Sequence, residues 1–383
     1  MKIVHLCLSN FYYDNFSYQE NLLVRQNVQD GHDVLVIASL ESLDKSGRIK
    51  FLKPGSYMGN DGAKVIRLEY SGVIPSFIKH KIRSYKGLLD NLVVFKPDVI
   101  YFHGLSAYEL LTLKKYKKIS PEVRIILDCH SDKYNTAISL QAKILHNIFY
   151  KPIFKSVIPI VDRIFCISLE TMDFALEYYK APRDKVEFYP LGGFCMEDDE
   201  YFKNRKETRA LLNIRNDQII LLHTGKINKK KKIVETLRFF LKNHNEKLVF
   251  ILAGTLESDI KDDVLSLIEA DKRIIYKGWV DSSEIQSLLC ASDIYIQPGS
   301  QSATMQQSLC LRNAVLLDNV LSHKPFIDNN GWLINDLIEL EAIFDKISLG
   351  DIDLEEMGNN SYNLALNLLD YKVLAKKIYE HYS

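Results

Sequence analysis

The sequence predicts an α/β protein built from two doubly wound domains in series. Short apolar runs alternate with amphipathic helical patterns from end to end, which is typical of parallel strands joined by crossover helices. The alternation is interrupted once, at 192–208, and then starts again. The length of 383 residues is sufficient for two or three domains and excludes a single small module.

Seven apolar runs of the first half have the length and composition of buried strands. They lie at 2–8, 33–39, 64–70, 98–104, 124–130, 163–168 and 185–191. Helical patterns separate them near 17–29, 81–94, 107–118, 139–161 and 169–180. Because ligands of such sheets bind beyond the carboxyl ends of the strands, the residues that follow each run are the candidates for a site.

The stretch 192–208 holds a run of charges without periodicity, and it is predicted to be a linker. Beyond it, strands are expected at 219–225, 248–254, 273–279, 293–299 and 314–319. Helices alternate with them near 232–243, 258–270, 282–291, 303–313 and 336–347. The final segment, 354–382, is helical throughout. The second half therefore repeats the architecture of the first half without a short sequence repeat.

The charge balance argues against a polyanion-coating protein, because 49 basic and 49 acidic side chains leave a net charge of zero. Residues 1–190 nevertheless hold 26 basic and 20 acidic side chains, which favours an anionic partner for the first half. The six cysteines form no CxxC pair and are expected to be reduced and buried. No stretch approaches 18 uninterrupted apolar residues, so no membrane span is predicted and a cytoplasmic location is expected.

Two segments of the first half combine basic and apolar side chains. Residues 75–88 carry cations, aliphatic and aromatic side chains and no acid, and residues 143–161 place three lysines beside a broad apolar face. This composition is typical of an interfacial anchor on anionic lipid, and equally of ordinary solvated helices. The first alternative predicts peripheral binding to the inner face of the cytoplasmic membrane.

The strand at 219–225 ends in Gly225 and continues into a run of lysines. A glycine at a strand end lets a ligand approach the backbone, and Lys226 and Lys231 can hold a diphosphate beyond it. A lysine run is also a common solvated face. The position of this run at the ligand-binding edge of a sheet favours phosphate binding.

A second loop with anion-binding character follows the strand at 293–299. It is rich in glycine and hydroxyl groups and opens a helix, whose free N–H groups and positive dipole end form an anion site. The residues of this loop are Gly299, Ser300, Ser302, Ala303 and Thr304. N-capping by one of the serines explains the same hydroxyl groups, and the two roles are compatible.

With these two loops, the second half resembles the nucleotide-binding domain of the family-4 retaining glycosyltransferases, which have the GT-B fold of two Rossmann-like domains facing an interdomain cleft. The family's glycine and two cations at the donor diphosphate match Gly225, Lys226 and Lys231. The resemblance also implies that the nucleotide base lies against the backbone at Trp279 and Val280.

The resemblance covers nearly the whole chain and implies its domain organisation. Residues 1–192 correspond to the acceptor-binding domain and residues 193–353 to the nucleotide-sugar-binding domain. The helices at 354–383 correspond to the segment that crosses back to the first domain.

In the first domain, the resemblance places His130 near the transferred sugar, with Asp132 or Ser131 orienting its ring. A lone histidine at a strand end is also commonly structural. His103, after another strand of the same sheet, is a second candidate for sugar binding. Asn10 and Tyr12, in the first loop, are candidates for contact with the acceptor or the donor.

The sequence departs from the family at its E-x7-E pair of glutamates. Counting back from the strand at 314–319 places Gln307 at the second position and Gly299 at the first. An amide oxygen can still accept a hydrogen bond from a ribose hydroxyl, but the carboxylate near the donor sugar is missing. Both a divergent active enzyme and a non-catalytic GT-B subunit that binds a nucleotide or a partner therefore fit the sequence.

The reaction that the resemblance implies is transfer of a hexose-type sugar from a UDP- or GDP-sugar to a hydroxyl acceptor, with retention of configuration. The acceptor is expected to be a lipid-linked or growing surface glycan such as capsule or O-antigen, and no nucleic acid partner is expected.

No metal and no resident cofactor are expected either, because Asp351 and Asp353 precede a helix and no His/Cys/Glu cluster has ligand spacing. A nicotinamide enzyme would need G-x-G-x-x-G after the first strand, and residues 9–17 contain no glycine.

Overall fold

The computed structural model describes residues 1–43, 48–72, 76–133, 136, 138–299 and 301–380, which form two compact units. The first unit comprises Met1–Pro190 and the chain from Leu374 onward, and the second comprises Leu191–Val373. Each unit is built on a sheet of mainly parallel strands. The predicted class, an α/β protein with two Rossmann-like domains, is confirmed.

The first unit contains an eight-stranded sheet and a short antiparallel hairpin. Its strands are β1 (Lys2–Cys7), β2 (Asp33–Ala38), β3 (Glu41–Leu43), β4 (Ile49–Phe51), β5 (Gly55–Met58), β6 (Lys64–Arg67), β7 (Val99–Phe102), β8 (Arg124–Cys129), β9 (Arg163–Cys166) and β10 (Val186–Phe188). The spatial order is β10-β9-β8-β7-β1-β2-β6-β5, and β5 alone runs antiparallel to its neighbour in this sheet as described. The strand order reverses between β1 and β7, which makes their carboxyl ends the switch point of the sheet.

Helices cover both faces of this sheet, so the central strands are buried on both sides and appear as continuous apolar runs in the sequence. The helices are α1 (Gln19–Gln29), α2 (Ser76–Ile82), α3 (Leu88–Phe95), α4 (Leu110–Ile119), α5 (Leu140–Leu145), α6 (Lys151–Val157) and α7 (Leu169–Asp173). A π-helical turn, His146–Tyr150, joins α5 to α6. Alternate residues of β1 pack into separate cores, with Leu6 in the larger one and Cys7 in the smaller.

The second unit has a six-stranded, fully parallel sheet. Its strands are β11 (Ile219–Thr224), β12 (Leu248–Ala253), β13 (Ile274–Gly278), β14 (Ile294–Gln297), β15 (Ala314–Asp318) and β16 (Gly331–Ile334). The order β13-β12-β11-β14-β15-β16 reverses between β11 and β14. The switch point of this sheet therefore lies at the carboxyl ends of those two strands.

Its helices alternate with the strands as the periodicity predicts. They are α8 (Asp198–Leu211), α9 (Ile233–Lys242), α10 (Lys261–Ala270), α11 (Ser282–Ala291), α12 (Ala303–Cys310), α13 (Glu339–Leu349), α14 (Leu354–Leu368) and α15 (Tyr371–Tyr379), the last of which runs into the part of the chain assigned to the first unit. Across the described ranges, no helix combines the length and the apolar character that a membrane crossing requires.

The linker prediction at 192–208 was wrong, because most of this stretch belongs to α8. The helix is anchored through arginines rather than through an apolar stripe. Arg205 donates to the carbonyl oxygens of Cys290, Ala291 and Ser292 at 2.9–3.1 Å, and both Arg205 and Arg209 pair with Asp293. A helix held by such contacts has little hydrophobic periodicity, so the sequence pattern missed it.

The C-terminal boundary also differs from the prediction. Residues 354–373 stay with the second unit, and the chain joins the first unit only from Leu374. Ser361 of α14 donates a hydrogen bond to the Asn313 carbonyl oxygen at 2.6 Å and accepts one from Asn330. These contacts attach α14 to the loops that lead into β15 and β16.

Removing the carboxylate that anchors α8 should destabilise the second unit. We expect Asp293→Ala to lower the free energy of unfolding by about 2–3 kcal/mol, because two largely buried arginines lose their partner. Urea unfolding followed by tryptophan fluorescence measures this unit selectively, since both tryptophans, Trp279 and Trp332, lie in it. The control Asp217→Ala, which breaks an exposed pair, should shift the curve little; equal shifts would contradict the anchoring role.

Candidate functional site

The two predicted phosphate-binding loops of the second unit follow the two strands at its switch point. Gly225 follows β11 and has a φ of 107°, a conformation that favours glycine. Gly254, which follows the adjacent β12, packs directly against it, since a Cβ at Gly254 would lie 1.8 Å from the Gly225 carbonyl oxygen. Only glycine fits at position 254, and a Cβ at Gly225 would meet no atom within 4 Å, so open space borders the strand end.

Gly299, after β14, brings the second loop against the first. Its φ is 131°, and a Cβ there would lie 2.2 Å from the Lys230 carbonyl oxygen and 3.3 Å from the Lys231 Cα. The lysine turn and the glycine turn are therefore in backbone contact. The structure brings together the two loops that the sequence analysis had placed at one sheet edge, although about 70 residues separate them in the chain.

The two candidate lysines differ in their surroundings. Lys231 is buried, and burial lowers its pKa to about 8. Lys226 is 72% exposed and forms an ion pair with Glu257, whose hydrogen bond raises the pKa of Lys226. Because removing a cation from water strengthens its attraction to an anion, Lys231 is the better placed of the two to bind a phosphate group.

A hydrogen-bonded chain ties the loops to the sheet. Thr224 and Tyr295 pair through their hydroxyl groups at 3.0 Å, and Tyr295 donates to Gln297 at 3.2 Å. Ser302 donates to the same Gln297 oxygen at 2.7 Å and accepts from the Met305 N–H as the N-cap of α12. The capping role predicted for Ser302 is therefore present.

The first turn of α12 contains the predicted residues Ala303 and Thr304, which directly follow this cap. Their N–H groups are among those that a helix leaves without an intrahelical acceptor. Ser300 lies outside the described residues.

The amide of Gln307, which the sequence analysis predicts to contact a ribose, is hydrogen-bonded to the backbone of Phe194. Its Oε1 accepts from the Phe194 N–H at 2.9 Å, and its Nε2 donates to the Phe194 carbonyl oxygen at 3.0 Å. The neighbouring Gln306 accepts from the Gly192 N–H in the same way. Both amides satisfy the backbone at the start of the second unit, which explains why an amide rather than a carboxylate stands here: a carboxylate could accept from Phe194 but could not donate to it.

Trp279 and Val280 follow β13 at the same edge of the sheet. Trp279 is 76% exposed, an unusual exposure for the largest apolar side chain, whereas Val280 is buried. A wide aromatic face beside the strand ends offers a stacking surface for a planar ring.

In the first unit, His130 belongs to a buried chain of ionisable groups. Asp128 and His130 lie two residues apart at the end of β8, so their side chains are on the same face of the sheet. The His130 Nε2 lies 3.5 Å from the Asp128 Oδ2, and the His103 Nδ1 donates to that same oxygen at 2.6 Å. Of these side chains, His130 alone has appreciable exposure, 23%.

The chain continues from His103 to His5 and Asn27. The His5 Nε2 lies 3.0 Å from the Asn27 Oδ1, and its Nδ1 lies 3.1 Å from the His103 Nε2. If His5 donates to the amide oxygen, its Nδ1 must accept from His103. His103 then carries protons on both nitrogens, one for His5 and one for Asp128.

The pKa shifts agree with this proton arrangement. Burial lowers the pKa of His5 to about 3, so His5 is neutral. Burial alone would also lower the pKa of His103, but the neighbouring Cys7 and Asp128 raise it well above its ordinary value. For His130, burial again opposes the charge, and Asp128 outweighs it and raises the pKa to about 9. His130 is therefore an imidazolium at neutral pH.

Two predicted sugar-binding residues are not accessible. Tyr12 is buried and donates to Asp61 at 2.6 Å, and burial together with Asp61 raises the pKa of its hydroxyl. His103 has no exposed surface. The sequence predicts that both touch a sugar, whereas in this structure both donate to buried carboxylates.

Asn10 and Asp132 remain near the strand ends: the Asn10 N–H donates to the His103 carbonyl oxygen at 3.1 Å, and Asp132 begins the loop after β8 and is partly exposed.

A cavity of about 640 Å³ lies at the switch point of the first sheet. It is lined by the loops after β1, β7 and β8 and by α5 with its π-helical turn. Its described lining residues are Ser9, Asn10, His80, Lys81, Arg83, Gly104, Leu105, Ser106, His130, Ser131, Thr136, Ser139, Gln141, Ala142, Ile144, Leu145, His146 and Tyr150. Its size suits a sugar-sized ligand.

The sequence analysis missed two residues of this region. Asp128 lies inside an apolar strand, and the signal that could have found it is the D-x-H spacing at the strand end, which places both side chains on one face. Arg83 was noted only as part of a basic segment. The position of its side chain at the cavity depends on a backbone φ of 57°, which no sequence pattern predicts.

The comparisons with known proteins agree with this architecture. Residues 22–192 match the family described as Glycosyltransferase Family 4. No curated protein matches the chain. The predicted resemblance to family-4-like glycosyltransferases of GT-B fold is confirmed, and the family match and the fold together support a glycosyltransferase.

Among solved structures, a glycosyltransferase from Rickettsia africae is similar with a TM-score of 0.68 and 15% identity, over 98% of this chain and 96% of the other. Sucrose-phosphate synthase from Thermosynechococcus elongatus has a TM-score of 0.66 and 14% identity, over 98% and 96%. HepE from Anabaena, in complex with UDP, has a TM-score of 0.66 and 12% identity, over 99% and 98%. At these identities the likeness concerns the fold.

Asp128 should control the charge of His130. In Asp128→Asn we expect the pKa of His130 to fall from about 9 to below 6.5, because burial continues to oppose the charge while the carboxylate is gone. NMR titration of the histidine ring signals measures this, with His130→Gln to assign the resonance. A His130 pKa that stays near 9 in Asp128→Asn would contradict the assignment.

Proposed function

We propose that the protein transfers a hexose-type sugar from a nucleotide-diphosphate sugar to a hydroxyl acceptor, with retention of configuration. The observation that carries this proposal is the backbone contact of Gly299 with the turn that holds buried Lys231. It sets a cation and a helix N-terminus side by side at a sheet switch point. This combination suits the diphosphate of a nucleotide sugar.

The protein must stabilise the leaving diphosphate during the transfer, because negative charge grows on it as the bond to the sugar breaks. Lys231 and the N–H groups of the first turn of α12 would stabilise this charge without reorganisation. Lys226 would also stabilise this charge once its ion pair with Glu257 is replaced by an ion pair with the phosphate. We therefore propose that the reaction needs neither a divalent metal nor a resident cofactor.

UDP-sugars are the first donors to test, with GDP-sugars as the alternative. HepE, which shares the fold, was solved with UDP, with UDP and glucose, and with UDP-glucose. In this chain the exposed Trp279 beside the strand ends would contact the base.

His130 would bind the transferred sugar or the oxygen that leaves with the diphosphate. As an imidazolium held by Asp128, it can donate a hydrogen bond to an oxygen that gains charge. It cannot act as a base while it carries this proton. In a retaining reaction the acceptor attacks from the face that the diphosphate leaves, and the diphosphate itself can take the acceptor proton, so a protein base is not required.

We propose a lipid-linked or growing surface glycan, such as capsule or O-antigen, as the acceptor, and a location on the inner face of the cytoplasmic membrane. The support is an apolar stripe along α5 and the π-helical turn after it: Leu140, Ile144 and Ile148 recur at four-residue spacing and are 74%, 49% and 73% exposed. Exposed lysines flank the stripe, including Lys143 and Lys155. An apolar face with flanking cations suits an anionic lipid surface.

A non-catalytic subunit is the second candidate, and the observation that favours it is the use of Gln306 and Gln307 by the backbone. Gly299 and Gln307 stand at the family's two glutamate positions, so neither position carries a carboxylate. Such a subunit would bind the nucleotide sugar without consuming it. Release of free UDP from UDP-sugar, measured with and without acceptor extracts, separates the two candidates.

The donor site should depend on Lys231. In a thermal-shift panel of UDP-, GDP-, ADP-, CDP- and dTDP-sugars without metal, we expect one nucleotide series to raise the melting temperature. Lys231→Ala should weaken that ligand about tenfold or more, because a buried charge-assisted contact to phosphate is lost.

The matched control for this prediction is Lys229→Ala, which removes an exposed lysine of the same turn and should leave the affinity nearly unchanged. The transferase proposal fails if no nucleotide sugar stabilises the protein, or if NAD is the ligand that does.

The apolar stripe should determine membrane binding. We expect Leu140→Ser/Ile148→Ser to reduce co-sedimentation with phosphatidylglycerol-containing vesicles about tenfold or more, because two exposed apolar side chains no longer enter the lipid. Ile119→Ser, at the end of α4, removes a comparably exposed side chain away from the stripe and should have little effect. Equal losses in both variants would argue against a specific lipid-binding face.

A further inference from the structure

The cavity of the first unit has a one-sided charge distribution. Among its described lining residues, five are basic and none is acidic, although burial lowers the pKa of His146 to about 4 and leaves that ring uncharged at neutral pH. Three of them approach from different elements: Lys81 from α2, Arg83 from the residue after it, and His130 from the end of β8. A wall of this composition attracts anions and disfavours cations.

Two hydrogen-bond donors on residues that line the cavity are left unsatisfied. The Asn10 Nδ2 and the Arg83 Nε are buried and have no hydrogen-bond partner among the residues that the structure describes. Arg83 uses its Nη1 to donate to the Ser9 hydroxyl at 2.6 Å and to the Ser106 carbonyl oxygen at 2.9 Å. A ligand with several acceptor oxygens would satisfy the remaining donors, whereas a sugar hydroxyl satisfies them only in part.

The chain holds Arg83 in an unfavourable backbone conformation. Its φ of 57° lies in the left-handed region, which is uncommon for a residue with a long side chain. The bonds to Ser9 and Ser106 keep the guanidinium against the loops after β1 and β7. Arg83 directly follows α2, and a left-handed residue is common at the end of a helix, so the conformation positions the side chain without itself indicating a ligand.

The charge of His130 adds to this anion site. The buried triad of Asp128, His103 and His130 carries one negative and two positive charges at neutral pH, because both histidine pKa values are raised. Its net positive charge is exposed only through His130, which lines the cavity. A phosphate oxygen there would accept from a charged donor.

We propose that this cavity binds a phosphate ester carried by the acceptor, held by Arg83 and Lys81 and attracted by the positive charge of His130. The inference rests on the proposed glycosyl transfer and specifies its acceptor. Ile144 and Leu145 line the same cavity, and Ile144 also belongs to the exposed stripe. The continuity of cationic and apolar lining fits a phosphate joined to a lipid, with the lipid chain leaving along α5.

Isothermal titration of the full chain with octyl phosphate tests the inference, with UDP present at saturation so that the donor site is occupied. Octyl glucoside serves as the neutral analogue, and α-glucose 1-phosphate as the phosphate without a lipid chain. We expect octyl phosphate to bind at least about tenfold more tightly than octyl glucoside. If octyl phosphate binds more tightly than glucose 1-phosphate, the phosphate is part of a lipid-linked acceptor. If glucose 1-phosphate binds more tightly, the acceptor is a free sugar phosphate. Either result supports recognition of a phosphate group.

The variants locate the binding. Lys81→Gln and Arg83→Lys should each weaken octyl phosphate about fivefold or more, the second because lysine keeps the charge but loses the Nε donor. Lys86→Gln is the matched control, since Lys86 belongs to the same basic segment, is 60% exposed and pairs with Glu69 outside the cavity. Lys81 is exposed, so its replacement keeps the test valid if Arg83→Lys does not fold.

Two results would overturn the inference: octyl phosphate that binds no better than octyl glucoside, or a loss in Lys86→Gln as large as that in Lys81→Gln. The UDP thermal shift of each variant is the independent readout. If UDP still raises the melting temperature but octyl phosphate does not bind, the phosphate site alone is refuted. If no nucleotide raises the melting temperature, the proposed transferase itself is refuted.

Discussion

The contact between Gly299 and the backbone of Lys230 is the constraint on which the proposed donor site depends. A side chain at position 299 would collide with a carbonyl oxygen, so the glycine is required for the two loops to meet. Lys231 lies buried in the turn that Gly299 contacts, and burial lowers its pKa to about 8. Gly254 acts similarly one strand away, where it lets the backbone at Gly225 pass close by. The parallel sheet brings these turns to one edge, and the absence of side chains lets them touch.

In the first unit, close packing and hydrogen bonds together join the loops at the switch point: a Cβ at Gly104, after β7, would lie 2.5 Å from the Ser9 Oγ. This switch point lies between β1 and β7, and the loops there are joined through Arg83, Ser9 and Ser106. Near these loops, the buried carboxylate of Asp128 contacts both His103 and His130. Burying Asp128 is costly unless it is paired, and the pairing raises the pKa of His130 to about 9. A structural requirement of the core thus sets the chemistry at the surface of the cavity.

The positions of the strands and of the diphosphate loops could be predicted because each depends on short-range patterns. Buried parallel strands are continuous apolar runs, and the glycines that follow β11 and β14 stand at strand ends by sequence alone. The edge strand β5 was not predicted, because it is exposed along its whole length and carries no apolar pattern. Helix α8 was not predicted either, because arginine side chains anchor it to the end of α11. Long-range polar contacts leave no periodicity in a sequence.

The sequence by itself determined that this chain has two α/β units and that glycine and lysine stand at the carboxyl-end edge of the second sheet, since strand positions and turn chemistry are local properties. Only the tertiary structure decided which candidates are accessible. Tyr12 and His103 stand at strand ends like His130, but their polar atoms are used by buried carboxylates. Gln307 occupies the family's second glutamate position, yet both its amide oxygen and its amide nitrogen are hydrogen-bonded to the backbone of Phe194. Burial and hydrogen-bond partners come from residues distant in the chain, and the requirement that every buried polar group be satisfied assigns them only once the fold is complete.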